Sequence, residues 1–215
     1  LWLYRRARQV IVVTEAFRQD LMDRGVPEAK IHIVRNAVDL EVFHDQVTPM
    51  ARGELGLPEG GLLFGYIGTT GMAHGLETVL KAASLVQSRT DIHFLILGEG
   101  ARRASLEQEA RALQLTNLTF HDYVPHNRIP SVLATLDASI VHLRPDPVFL
   151  TVIPSKIFES MAVGVPLVHA VEGESADLVR EAGAGVCLPG GDAEQLAKAL
   201  TQMADDPEGR ASMGA

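Results

Sequence analysis

The sequence predicts an α/β fold, a doubly wound parallel sheet with helices on both faces, preceded by the remnant of a second α/β unit. Three observations carry that expectation. Short apolar runs and amphipathic stretches alternate repeatedly after residue 60, which is the pattern of strands joined by crossover helices. Several of the apolar runs end in glycine, as strand-to-helix turns do. A polar, aperiodic stretch, "RNAVDLEVFHDQVTP", separates an opening strand–helix–strand from the rest.

Taken in order, "LWLYRRARQ" reads as the middle of a helix and "RQVIVVTEAF" as a strand ending at Thr14 and Glu15. Thr14 is placed to cap a helix through "AFRQDLMDRG", which Gly25 stops. "KIHIVRNAV" is a further strand before the linker. The second unit runs strand then helix through "LLFGYIGTTG" and "LETVLKAASLVQS", "DIHFLILGEG" and "RASLEQEARALQ", "NLTFHDYVP" and "RIPSVLATL". It continues with "ASIVHLRP" and the "PSK" helix, "VPLVHAV" and "ESADLVREAG", "AGVCLPG" and "DAEQLAKALTQMA". The linker separates this opening unit from the longer second one. An opening without methionine and an end at "DDPEGRASMGA" read as a segment cut from a longer chain.

With 215 residues, 47% of them hydrophobic and 21% charged, the chain can bury one good core or one domain plus part of another. No apolar run has the length of a bilayer span. The single cysteine, Cys187, rules out a disulfide within the chain and points to a reducing compartment. A net charge of −8 argues against a broad nucleic-acid surface, while a local phosphate site made by backbone N–H groups is compatible with it.

Three glycine-bearing stretches compete as sites. "FLILGEGARRA" has Gly98 and Gly100 after a strand, with Asp122 downstream at a dinucleotide-fingerprint distance; the third fingerprint position holds Arg103, so a plain turn is the stronger reading. "GYIGTTGMAHG" places Gly68 and Gly71 around Thr69 and Thr70 and lacks the Gly-Lys-Ser/Thr ending of a triphosphate loop. It is either a strained turn or a place where phosphates approach the backbone. "TVIPSKIFESMAVGVPLV" is the sharper signal. Pro154 and Ser155 open a helix, Ser155 can cap it, and Lys156 adds a cation where the helix dipole is already positive. That placement suits an anion. Glu159, three residues on, is either a surface ion-pair partner of Lys156 or a carboxylate for a ribose diol. Of eight histidines only His74 lies on a candidate loop; His142 and His169 fall in apolar strands as core residues, and no metal spacing is present.

The stretches "IHIVRNAVDLEVF", "YIGTTGMAHGLETVLKAA", "FLILGEG", "NLTFHDYVP" and "IPSKIFESMAVGVPLV" resemble, in that order, the C-terminal half of family 4 glycosyltransferases of the GT-B fold. "PSKIFE" with "GTTGMAHGLE" is most similar to the bacterial surface-polysaccharide subgroup, including colanic-acid and N-acetylfucosamine transferases. The resemblance implies a retaining transfer of sugar from a nucleotide diphosphate, a UDP-sugar above all, to a saccharide or polyprenyl-linked acceptor, with no cofactor or metal. It implies Glu159 at the ribose, Ser155 and Lys156 at the diphosphate, and backbone of Tyr123 and Val124 at the base. Gly68, Thr69, Thr70, Gly71 and His74 would complete the donor side. The resemblance puts Thr151, still on the donor side, where the first acid of the family's E-x7-E motif stands, and Thr69 or Thr70 and His74 where many relatives carry Arg and Lys on the loop after the first strand. That leaves Lys156 as the clearest diphosphate cation and, with Glu159, as the catalytic candidates. It also implies that residues 1–47 are the close of an acceptor-side domain plus linker and residues 48–215 the donor-binding domain. The implied setting is the cytoplasm, with membrane contact at its inner face through an upstream acceptor-side domain. Two other classes stand beside this reading: a sugar-nucleotide epimerase on the same fold and a nucleotide-binding module without chemistry.

Overall fold

The computed structural model describes residues 1–214. Helix α1 (Trp2–Arg6) buries no side chain. It leads to β1 (Val10–Val12), α2 (Glu15–Asp23) and β2 (Ile31–Ile33), where β1 and β2 pair in parallel as a two-stranded sheet. Thr14 caps α2 as its sequence position predicts, its hydroxyl accepting from the Phe17 N–H at 3.1 Å. Residues 34–51 contain neither helix nor strand.

The second unit comprises β3 (Leu62–Ile67), α3 (Glu77–Leu85), β4 (Ile92–Leu97), α4 (Arg103–Ala112), β5 (Leu118–His121), α5 (Ile129–Leu133) and β6 (Ala138–His142). It continues through α6 (Lys156–Val163), β7 (Leu167–Ala170), α7 (Glu174–Glu181), β8 (Gly185–Cys187), α8 (Ala193–Asp205) and α9 (Pro207–Met213). Helix α9 lies in the stretch read from sequence only as a chain end. Asp206 caps it, accepting from the Gly209 N–H at 2.9 Å.

The six strands are all parallel, in the order β5-β4-β3-β6-β7-β8. Successive strands march outward from β3 to one edge, then the chain returns beside β3 and marches to the other. Alternation along β3 sends Phe64 and Tyr66 into a core with α3, α4 and α8, and Leu63 and Ile67 into a core with α5. Both faces are covered, which is why the strands read as continuous apolar runs.

Strand order reverses between β3 and β6, and there the pairing is short. It covers only Phe64 with Ala138 and Gly65 with Ser139, whereas β3 stays paired with β4 as far as Ile67 and Leu97. The carboxyl ends of β3 and β6 are therefore not laced together beyond Gly65. A crevice at such a switch point is the ordinary ligand position in doubly wound sheets.

The first unit rests on the second through specific contacts. The Thr14 hydroxyl donates to the Thr151 carbonyl at 2.6 Å, and the Glu174 carboxylate accepts from the N–H groups of Glu15 and Ala16 at the start of α2, at 3.3 and 3.0 Å. An anion at a helix N-terminus is favourable. Asn36 adds a bond to the Ile153 carbonyl at 3.3 Å. No helix among the described residues is long and apolar enough to cross a membrane.

His169, fully buried in β7, has its Nε2 3.0 Å from the Ser175 hydroxyl, and its Nδ1 has no partner. Burial draws its pKa from 6.5 down to about 4. Between those values the unfolded chain holds a proton that the folded chain does not, so stability is full above pH 6.5 and falls as the pH drops towards 4. The slope approaches about 1.4 kcal/mol per pH unit. Urea midpoints between pH 7 and 4 should decline less steeply for His169→Gln than for the parent. The same slope in both would mean that His169 does not govern the acid limb.

Candidate functional site

Helix α6 begins at the switch point with its first N–H groups free. Ile157 donates to the Pro154 carbonyl at 3.2 Å and Phe158 to the Ser155 carbonyl at 3.0 Å, while the N–H groups of Ser155 and Lys156 meet no acceptor among the described residues. Ser155 stands at the cap position without capping, because its backbone is already helical (φ −59°, ψ −31°) and a capping side chain needs an extended one. That corrects the expectation of a serine cap. The helix end is left open to an incoming anion.

The Lys156 ammonium lies 3.9 Å from the centroid of the Tyr66 ring. A Cβ placed on Gly68, whose φ is +140°, would stand 2.9 Å from that nitrogen, so the absence of a side chain at 68 makes room for the lysine. Among the described residues no carboxylate comes within 4.0 Å of the ammonium, so the i, i+3 ion pair with Glu159 does not form. Burial pulls the Lys156 pKa down to about 7, with Glu159 acting weakly against it. The Glu159 carboxyl is pushed the other way, upward by burial, opposed by His126 and Lys156. Burial disfavours the charged form of each group.

These side chains line one open cleft of about 390 Å³, together with Gly68, Thr69, His74 and Ser155. His74 comes from a short 3-10 turn, Met72–His74, and its ring meets the Tyr66 ring edge-on at 5.8 Å. Burial first, and then the neighbouring Lys156, hold the His74 pKa below 6.5, so the imidazole is neutral at physiological pH. The loop is fixed from beneath. Tyr66 donates its hydroxyl to the Thr69 carbonyl at 2.7 Å, Thr70 N–H bonds the Glu99 carbonyl at 2.9 Å, and His142 Nδ1 lies 2.6 Å from the His74 carbonyl. His142 is the satisfied core histidine expected from sequence, since its Nε2 accepts from Gly191 N–H at 3.0 Å.

Other expected positions lie elsewhere. Thr70 is fully buried behind the loop with its hydroxyl unpartnered, and Gly71 opens the turn that carries His74. The Tyr123 side chain projects into solvent beyond β5 and that of Val124 packs into the core on the α5 face, so any contact these two make at the cleft is one of backbone. Thr151 is turned away. Its hydroxyl donates to the Val148 carbonyl at 2.8 Å, and it borders a groove with Tyr4 and Phe17 of the first unit. A 3-10 turn over Pro147–Thr151 causes this, since it takes the backbone out of line with α6 before the helix begins. His126 is the wall residue that sequence reasoning missed. It follows β5 in a short 3-10 turn, its ring 5.4 Å from that of Phe43 in the linker, and no spacing in the sequence marks it.

Gly98 and Gly100 have a packing role. A Cβ on Gly98 would strike the Gly68 carbonyl, and one on Gly100 would stand 2.7 Å from the Thr70 carbonyl, so the β4–α4 turn supports the cleft loop from behind. Arg103 fills the place of a third fingerprint glycine, donating to the Gly98 and His121 carbonyls at 2.7 and 2.9 Å. A dinucleotide pyrophosphate has no room to approach there.

A doubly wound domain with a cation, an open helix start and a carboxylate at its switch point is the class of fold that holds phosphorylated nucleotides. Residues 48–215 match the family described as glycosyl transferases group 1, and the chain belongs to that family. Residues 1–42 match glycosyltransferase family 4. Among curated proteins the chain is 27% identical over 213 residues to 2-deoxystreptamine glucosyltransferase of Streptomyces kanamyceticus, covering 96% of this chain and 54% of that protein. It is also 27% identical over 158 residues to a colanic acid biosynthesis glycosyl transferase, WcaI, of Escherichia coli, covering 72% of this chain and 38% of the other. A D-inositol 3-phosphate glycosyltransferase of Arthrobacter is 26% identical over 189 residues, covering 86% of this chain and 44% of the relative. The chain thus spans about half the length of the curated relatives it matches. In fold it resembles Anabaena HepE in complex with UDP-glucose (TM-score 0.84, 20% identity), covering 99% of this chain and 58% of that one. It also resembles WaaG, a glycosyltransferase involved in lipopolysaccharide biosynthesis (TM-score 0.81, 17% identity), covering 96% and 56%.

If Gly98 is a spacer beneath the cleft loop, Gly98→Ala should cost more than about 2 kcal/mol, from a positive φ combined with a backbone clash. Urea unfolding measures this. A neutral substitution would show that the two loops can separate without loss and that the support is incidental.

Proposed function

We propose that the cleft binds the diphosphate and ribose of a nucleotide sugar, with UDP-sugars as the first candidates, and that the chain is the donor-binding part of a glycosyltransferase. The observation that carries this reading is the Lys156 ammonium, 3.9 Å from the Tyr66 ring and among the described residues paired with no carboxylate, beside two N–H groups at the start of α6 that meet no acceptor there. A diphosphate supplies the missing anion. Its charge would restore full protonation of the lysine, and the free N–H groups would hold one phosphate. Glu159, one turn along and without a hydrogen-bond partner, accepts from the ribose hydroxyls. His74, held neutral, offers a hydrogen bond on the opposite wall without adding repulsion between cations.

In the transfer, negative charge grows on the departing diphosphate as the sugar leaves. Lys156 and the helix N–H groups are aimed at that charge, so their contribution is greater in the transition state than in the ground state. Residues 1–47 are, in this reading, the close of an acceptor-side domain plus its linker, and residues 48–215 the donor-binding domain. The stereochemical outcome is retention. The acceptor is a saccharide or lipid-linked sugar of surface polysaccharide synthesis, and any membrane contact lies in the upstream domain. The WcaI relative supports that acceptor class; the aminoglycoside and inositol relatives are the alternatives to assay beside it.

Glu159→Ala should weaken UDP binding by roughly 1.5 to 3 kcal/mol, the range for hydrogen bonds to a charged group, and should shrink the preference for ribose over 2′-deoxyribose. Calorimetry with UDP and 2′-deoxy-UDP separates a ribose contact from a structural role, which would lower both affinities equally.

For Lys156→Met, an enzyme that includes the upstream domain should lose about 10² or more in kcat, with a smaller loss of ground-state affinity. The ligand-free chain should melt at the same temperature or slightly higher, since a cation at a helix start is unfavourable by about 0.3 to 1 kcal/mol. A destabilised ligand-free variant with near-normal kcat would make the lysine a structural residue.

A further inference from the structure

We infer that Tyr66 is a positioning residue for the phosphate-binding lysine, its ring seating the Lys156 ammonium and its hydroxyl fixing the cleft loop at Thr69. The inference rests on the nucleotide-diphosphate reading of the cleft and adds to it a residue that lines no wall.

Tyr66 is fully buried on β3, just beyond the point where β3 and β6 cease to pair. A phenylalanine would serve packing there equally well. A buried tyrosine brings a hydroxyl that must find a partner, and this one finds the carbonyl of Thr69, three residues on, at 2.7 Å. Burial pushes the phenol pKa upward, so the hydroxyl stays protonated and donates. One side chain thereby ties the end of β3 to the loop that walls the cleft.

The ring has a second task. Its face lies 3.9 Å from the Lys156 ammonium and it meets the His74 imidazole edge-on at 5.8 Å, with an angle of 66° between the rings. The charged or titratable groups facing the ammonium are His74 across the cleft and Glu159 on its own helix, with His126 beyond Glu159. Among the described residues none of these groups bonds the lysine. A carboxylate in the place of the ring would hold the ammonium too, but it would compete with the phosphate for it. The quadrupole of an aromatic face attracts a cation without carrying net charge, so the lysine is held in place and its charge stays available. Such preorganisation lowers the cost of ordering a long side chain when the ligand arrives.

The test uses Tyr66→Leu, which removes ring and hydroxyl, and Tyr66→Phe, which keeps the ring and the packing. The first readout needs no nucleotide: a pH titration of Lys156 by NMR in the 215-residue chain. The lysine midpoint should fall by about one pH unit in Tyr66→Leu, the scale of a desolvated cation–π contact, and stay at the parent value in Tyr66→Phe. The second is UDP-glucose affinity by calorimetry, expected to be roughly tenfold weaker in Tyr66→Leu and a few-fold weaker in Tyr66→Phe, where only the Thr69 anchor is lost. An unmoved midpoint in Tyr66→Leu, or an equal shift in both variants, overturns the seating role. Should Tyr66→Leu fail to fold, a shifted midpoint in Tyr66→Phe alone overturns it equally. Parent-level UDP-glucose affinity in Tyr66→Phe overturns the loop anchor. If the parent chain binds no UDP-glucose while the midpoints move as expected, the seat stands and the nucleotide reading of the cleft falls.

Discussion

An ammonium held by an aromatic face and by no carboxylate is the constraint around which this domain is arranged. The absence of a side chain at residue 68 leaves the Lys156 ammonium its place beside Tyr66, and the absence of one at Gly98 lets the two loops pack backbone against backbone. The strand order places all three at one point. β3 and β6 cease to pair after Gly65, Tyr66 follows at once on β3, and among the described residues the N–H groups of Ser155 and Lys156 at the start of α6 meet no acceptor. Desolvation without a counter-ion is costly, which is why the lysine pKa falls to about 7. The fold tolerates that cost at a place where an anion would relieve it.

Thr151 lies where the two units touch. Thr151 accepts from Thr14 through its carbonyl, and the neighbouring Glu174 neutralises the start of α2, so the two units meet on the loops that follow β6 and β7. These loops lie at the same end of the sheet as the cleft. A shift of the first unit would be felt by the segment just before Pro154, and through it by the start of α6.

Much of this could be read from the chain and some could not, for physical reasons that differ by residue. The strand and helix alternation was legible because both faces of the sheet are covered, and Thr14 and Gly25 bounded α2 by their own local chemistry. The strand order was not legible, because it is decided by which buried faces meet and not by neighbours in sequence. Lys156 stood out as a cation where the dipole is already positive. Its partner Tyr66 did not, since 90 positions separate the two and the contact is created by the reversal of strand order. The expected serine cap does not form, and of the two readings open for Glu159 the ion pair with Lys156 does not form either. Sequence spacing shows which groups can meet, while the helical backbone at Ser155 and the pull of the Tyr66 ring decide which do. His126 lay in a polar turn with no periodicity to mark it and reaches the cleft only through tertiary packing.

The central claim is that the anion site is the start of α6 with its lysine. Amide chemical-shift mapping of the chain during a UDP-glucose titration addresses it directly. The account predicts that the largest changes fall on Ser155 and Lys156 and on Gly68 and Thr69 opposite them, with smaller ones at Glu159 and His126. Changes confined to the Gly98–Arg103 turn, or to the groove beside Tyr4 and Thr151, would place the ligand elsewhere and contradict it.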